Sequence, residues 1–199
     1  MKKLSLIIAT IWLTTSCNKY RESQYQCGIL QLTLPEGWSF DFVNNDFTTL
    51  SMVDSSWSFS PKSWSGNRAT GQDAGAELFV LIGDLNTNSA LKNLTQTSET
   101  FERDLLELFF DEYSNQYDEN LLEHLSEPKE VKYSSGTWYV FSKKQQNTFE
   151  EKPNDYLLQL YIKTFDEKVY MIFIKDFEKN FEINREKYFD KILNAIKFV

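Results

Sequence analysis

An α+β fold, a mostly antiparallel β-sheet with helices packed on its faces, is predicted by three observations. Residues 156–174 read as strand, polar two-residue turn and strand, and the second strand is apolar on both faces. A helical stripe of Phe189, Ile192, Leu193, Ile196 and Val199 follows it, with Glu186, Lys187, Asp190, Lys191 and Lys197 mostly opposite. One long helical pattern, opening near residue 98, divides an otherwise strand-rich chain. A strand apolar on both faces suits the centre of a sheet covered on both sides, and an apolar helical stripe must be buried against something.

The 156–165 strand puts Leu158, Leu160 and Ile162 on one face and Leu157, Tyr161 and Phe165 on the other. After the Asp166-Glu167 turn, the 168–174 strand puts Val169, Met171 and Phe173 on one face and Tyr170, Ile172 and Ile174 on the other. Toward the N-terminus, Leu30, Leu32 and Leu34 alternate with Gln31 and Thr33 as a half-buried strand does. Pro35 has no N–H to donate and ends it, Glu36-Gly37 turn the chain, and Trp38, Phe40 and Phe42 resume the alternation. Residues 49–59 read as a further strand with Met52, Trp57 and Phe59 as its large side chains, 60–75 as a Gly- and Ser-rich loop, and 77–82 as a buried strand. Residues 83–96 read as loop.

Ser98 or Thr97 caps the long helix, Glu99 and Glu102 suit its first turn, and Phe101, Leu105, Leu108 and Phe109 line one face. Leu121, Leu122 and Leu125 suggest a continuation that Pro128 stops. Residues 131–133 and 137–141 read as two strands about the Ser134-Ser135-Gly136 turn, and 145–153 as a polar loop. Trp38 and Trp138 fall in strand patterns and belong to the core.

Residues 1–16 have the parts of an export signal: Lys2-Lys3, an apolar run over 4–13, and the small residues Thr14-Thr15-Ser16. The run of about ten residues is too short to span a membrane as a helix. The stretch Leu13-Thr14-Thr15-Ser16-Cys17 resembles the lipobox of bacterial lipoproteins, and Ser-Cys-Asn-Lys is similar to the looser boxes of Bacteroidetes. It departs from the strict pattern in having Thr14 where a Leu is usual. The resemblance implies that the Cys17 thiol takes a diacylglycerol and becomes the N-terminus of a chain held at a membrane by its lipid. It implies a cell-envelope address, with Asn18 compatible with the outer membrane. Residues 17–27 are then a lipid-anchored spacer, and 28–199 a single domain. Of the two cysteines, lipidation of Cys17 leaves Cys27 unpaired; a Cys17–Cys27 disulfide is the rival.

At 199 residues the chain is long enough for one core and short for two. Its formal net charge is -8, and without Lys2 and Lys3 the balance is 19 basic against 29 acidic, or -10. Such a surface is repelled by phosphate backbones, which argues against nucleic acid as a partner.

Leu32-Thr33-Leu34-Pro35-Glu36-Gly37-Trp38 resembles the opening strand and turn of PsbP-like domains, a superfamily that takes in photosystem extrinsic proteins, a nuclear-transport factor and DcrB-type envelope proteins. Val169-Tyr170-Met171-Ile172-Phe173, with residues 189–198, is similar to that group's last strand and helix. The resemblance implies an α/β/α sandwich acting as an adaptor or assembly module, with no catalytic residue to carry over.

Catalytic patterns are sparse. His124 is the one histidine, so a site built on two or three histidines is excluded. Asp111-Glu112 and Asp118-Glu119 are sequence neighbours, which point apart on a helix and form no carboxylate dyad. Asp84, Asn86 and Asn88 alternate like the start of a calcium loop, but Ser89 and Thr95 replace its required Gly and Glu. No metal or cofactor is expected. Trp57 and Trp64 bracket a small polar stretch and are the candidates for a partner-binding platform, against the plainer role of packing rings. The reading is a non-enzymatic envelope lipoprotein that binds an unknown protein partner. The alternatives are an acidic immunity or inhibitor protein neutralising a basic toxin or hydrolase, and a hydrolase with a scattered carboxylate pair.

Overall fold

A computed structural model describes residues 23–42, 46–61, 75–98, 100–117, 122–124, 127–146 and 155–199. The leader, Cys17 and Trp64 lie outside the described residues. The strands are β1 (Ser23–Cys27), β2 (Leu30–Leu34), β3 (Trp38–Phe42), β4 (Ser55–Pro61), β5 (Glu77–Asp84), β6 (Leu122–His124), β7 (Lys129–Tyr133), β8 (Gly136–Gln145), β9 (Tyr156–Phe165), β10 (Lys168–Phe177) and β11 (Lys197–Phe198). The helices are α1 (Ser89–Thr97), α2 (Phe101–Tyr117), α3 (Glu178–Asn184) and α4 (Asp190–Ala195); a π-helical turn, Arg185–Phe189, joins α3 to α4 without a break in helical backbone.

Among the described residues every strand pairing is antiparallel. A large sheet runs β3-β4-β5-β10-β9-β8-β6, with β7 on the same edge of β8, and a small sheet runs β1-β2-β11. As its two apolar faces predict, β10 is central, paired with β5 on one side and β9 on the other. Val169, Met171 and Phe173 enter the core beneath α1 and α2, together with Leu105, Leu106, Phe109, Phe110 and Tyr113. Tyr170, Ile172 and Ile174 enter the opposite core, closed by Leu30, Leu32 and Leu34 of the small sheet and by Phe181, Phe189, Ile192 and Leu193 of the C-terminal helix. Rings fill the α2 side: Phe173 lies 5.4 Å from Phe109 and 5.2 Å from Tyr113, centroid to centroid. Contacts of this kind add to the area that aromatic side chains bury.

Several expectations are corrected. The spacer expected over 17–27 overlaps the folded part, because Ser23–Cys27 is strand β1, paired residue for residue with β2. Its polar residues alternate with Tyr25, whose ring packs 5.4 Å from Phe59. The loop expected over 83–96 holds α1, which Asn88 caps by accepting from Leu91 N–H. The strand expected from residue 49 begins at Ser55, after a short turn of 3₁₀-helix at Asp46–Thr49. The helical continuation expected from residue 121 is strand β6 instead, held by the edge of β8. The closing helix stops at Ala195, so that Lys197-Phe198 can pair with β2; Val199 is therefore outside the apolar stripe and exposed.

Candidate interaction surface

The registers give the sandwich two unlike ends. At one, Lys168 faces both Phe165 and Asp84, Gly136 faces Tyr133, and Val199 N–H donates to Ile29 C=O at 2.9 Å. Among the described residues, the turns at Gly28-Ile29, Ser134-Ser135 and Asp166-Glu167 and the Ser51–Asp54 segment meet here. At the other end Tyr156 faces Phe177 and Gln145, Trp38 faces Pro61, and Ser23 faces Leu34. Pro61, Gln145, Tyr156 and Ser23 therefore all lie at that second end.

The turn end carries a ring surface. Phe165 is 42% exposed and stacks on Phe198, 4.6 Å between centroids. Phe198 also meets the Tyr170 ring edge to face at 5.0 Å and stacks on Trp138 at 6.2 Å. The Tyr170 ring is fully buried, and among the described residues its hydroxyl has no hydrogen-bond partner. Burial, and then the Asp166 carboxylate, raise this hydroxyl's pKa.

The turns around the rings are tightly held. Asp166 and Glu167 both take positive φ, 49° and 58°, the geometry of a two-residue hairpin that usually has Asn-Gly there. Glu167 anchors it: its C=O accepts from Leu85 N–H at 2.9 Å and its Oε2 from Asn86 Nδ2 at 2.6 Å. Asp84 Oδ1 accepts from the backbone N–H of Asn86 and Thr87, and the Asn86 bond is the main reason its carboxyl sits below the usual range. The calcium-like spacing of Asp84, Asn86 and Asn88 is thus a turn followed by a helix cap. Among the described residues no group of three His, Cys, Asp or Glu is arranged to hold a metal ion.

Of the residues singled out from the sequence, Trp57 is half-buried on β4 and packs against the core beneath the small sheet. Trp64, its proposed companion, and Cys17 lie outside the described residues, as do Asp118 and Glu119. His124 is placed in β6 opposite Lys143 rather than on a helix. Asp111 is exposed on α2, while Glu112 is tied to Ser51, accepting from its N–H at 2.6 Å and from its hydroxyl. Cys27 is a free cysteine in the core, and burial pushes its thiol up to about 12. An open cleft of about 370 Å³ lies between the start of α2 and the β7–β8 edge, lined by Thr100, Glu102, Arg103, Glu127, Pro128 and Tyr139. Glu127 there is exposed and the Arg103 guanidinium is drawn to Glu107 at 3.3 Å, so the cleft is a wet surface feature. Sequence reasoning did not single out Phe165 or Phe198 as residues that reach the surface. The one available signal was a Phe placed directly before a charged turn.

No protein-family model and no curated protein matches the chain. Among solved structures it is similar to cyanobacterial PsbP (CyanoP) from Synechocystis, with 12% identity, a TM-score of 0.59, and cover of 92% of this chain and 96% of that one. Against the Ran-binding protein Mog1p of Saccharomyces cerevisiae the identity is 11% and the TM-score 0.48, covering 91% of this chain and 97% of that one. The CyanoP likeness shows the fold: an α+β sandwich of PsbP type.

Proposed function

We propose that the chain is a lipid-anchored protein of the cell envelope whose PsbP-like domain binds a protein partner and catalyses nothing. Cys17 carries the lipid, and the outer membrane or its periplasmic face is the site of residence. The observation that carries this reading is the distance in sequence between the lipobox-like Cys17 and strand β1, which opens at Ser23. Six residues reach at most about 20 Å, so the folded domain sits directly on the bilayer that its first residue enters. A thioether-linked diacylglycerol with an N-acyl chain buries enough methylenes, at about 0.8 kcal/mol each, for durable anchoring. Radiolabelled palmitate is expected in the wild-type chain and absent from Cys17→Ala. Equal label in both variants ends the lipoprotein reading.

The immunity or inhibitor reading is favoured by one feature. The solvent-facing side of α2 carries Glu102, Asp104, Glu107 and Asp111 against Arg103 alone. On that reading a basic effector binds α2, and its affinity drops steeply with added salt. Affinity that does not change between low and high salt counts against it.

A further inference from the structure

We propose that Lys143 is a covalent capture site, whose side-chain amine takes up an uncharged aldehyde as a reversible imine. This goes beyond the tethered-module reading and depends on neither the lipid nor the partner.

Lys143 lies on the face of β8 that α2 covers, in alternation with Phe141 and Gln145. Opposite it in register are Leu158 of β9 and His124 of β6. The residue is 9% exposed, and its Nζ stands over two rings, 5.0 Å from the Phe110 centroid and 5.7 Å from that of Phe141. Among the described residues this amine has no hydrogen-bond acceptor and no ion-pair partner. The next residue shows the contrast. Lys144, on the other face, meets Glu178 at 2.9 Å and Asp155 at 3.0 Å, and those partners raise its pKa. A cation withdrawn from water is ordinarily paired in this way. Lys143 is set among rings instead, and desolvation drives its pKa down against the pull of the Asp111 and Glu107 charges. The neutral amine is the nucleophile, so a lysine held in apolar surroundings is the one poised for Schiff-base chemistry.

The surroundings set the class of electrophile. The charged and titratable groups about the amine are Glu107 and Asp111 on α2 and, by register, His124 on β6; the Tyr113 hydroxyl is taken up by Gln145 at 3.4 Å. Glu107 and Asp111 are both exposed, so the carboxylates stand at the rim and the rings beneath it. Glu107 is itself paired with Arg103 at 3.3 Å, which leaves Asp111 the stronger field. That rim repels an anionic electrophile and passes an uncharged one. The groups shown to act on this amine are rings and carboxylates, which donate nothing. Acyl transfer needs donors for its developing oxyanion, whereas imine formation needs only the loss of water. The amine lone pair forms the C–N bond, and one N–H proton passes to the carbonyl oxygen. The resulting hydroxyl leaves with the second N–H proton as water, so amine and aldehyde become imine and water.

The test treats the purified full chain near neutral pH with benzaldehyde and cyanoborohydride, which reduces any imine to a stable benzylamine, and maps the label by peptide mass. Lys143 is expected to take at least about ten-fold more label than the exposed Lys132 and Lys191. Its labelling is expected to reach half-maximum at a lower pH than that of Lys132. With glyoxylate, an anionic aldehyde, the ratio of Lys143 to Lys132 is expected to fall to about one or below. The double variant Glu107→Gln, Asp111→Asn changes only exposed side chains and is expected to raise that glyoxylate ratio about three-fold. Equal benzaldehyde label at Lys143 and the exposed lysines, label at Lys143 only after urea denaturation, a half-maximum no lower than that of Lys132, an undiminished ratio with glyoxylate, or a glyoxylate ratio unmoved by the double variant each overturn the proposal.

Discussion

The Asn184 side-chain amide donates to Asp176 Oδ2 at 2.7 Å, and both residues are fully buried. Asp176 closes β10 on the face covered by the C-terminal helix, and its Oδ1 accepts from Phe177 N–H at 2.7 Å. A buried carboxylate persists only while its oxygens are hydrogen-bonded. The bond therefore ties the helix to the end of the central strand. Asn184→Leu removes the donor while roughly conserving volume, and it is expected to cost about 3 kcal/mol in urea unfolding. A loss under about 0.5 kcal/mol contradicts this role.

Gly83 sits where three elements converge. A Cβ there lies 2.3 Å from the Met52 carbonyl oxygen and 2.5 Å from Leu91 Cδ1. The first is backbone and cannot swing aside. Gly83→Ala is expected to lose about 3 kcal/mol, with α1 the first element to detach. Loss of amide-exchange protection at Leu91 and Leu94 before the β9–β10 hairpin reports that order; uniform loss contradicts it.

What was legible in the sequence followed from periodicity. The β9–β10 hairpin and both its faces could be read because ten-residue strands give an alternation too long to be chance. α1 could not, because it buries Leu91 alone, with Leu94 only partly covered, and six of its nine residues are polar. β1 was hidden by its polar residues, Ser23, Gln24 and Gln26. β11 was hidden by coincidence: Val199 falls on the stripe of Phe189, Ile192 and Ile196, although the helix ends as Ile196 turns extended at ψ 135°. The candidate surface was illegible for a different reason. Phe165 and Phe198 are brought together by β11 pairing with β2, and no local pattern encodes a contact across that separation.

Cys27 gives the fold a pH signature. Its thiol has an ordinary value of 9.0 and burial pushes it up to about 12. Below pH 9 it is neutral whether the chain is folded or not. Between the two values the unfolded chain has lost a proton that the folded chain keeps, so stability falls as pH rises, by at most about 1.4 kcal/mol per unit. In a Cys17→Ala background, which leaves Cys27 as the single thiol, Cys27→Ala is expected to flatten the decline between pH 9 and about 11. Ellman's reagent is expected to find the thiol only after denaturation. Prompt reaction in the folded state disproves the burial that both expectations share.

Asn88 does two jobs that substitution can separate. Its Oδ1 accepts from Leu91 N–H at 3.1 Å, which caps α1, while its Nδ2 donates to Asp54 Oδ1 and to Ser51 C=O, each at 3.0 Å. Asn88→Ala loses all three bonds and is expected to cost about 2 kcal/mol. Asn88→Asp keeps the cap, and Asp is as good a cap as Asn on an isolated helix. Here it sets a carboxylate against the Asp54 carboxylate and the Ser51 carbonyl, with nothing left to donate to either. It is therefore expected to be at least as damaging as Ala at pH 7. Part of its loss should return as the pH is lowered toward 4, where protonating one carboxyl restores a donor and removes the repulsion. If the Asp variant matches the wild type at pH 7, Asn88 is a cap and nothing more, and the link between α1 and the Ser51–Asp54 segment must be carried by Leu91 packing alone.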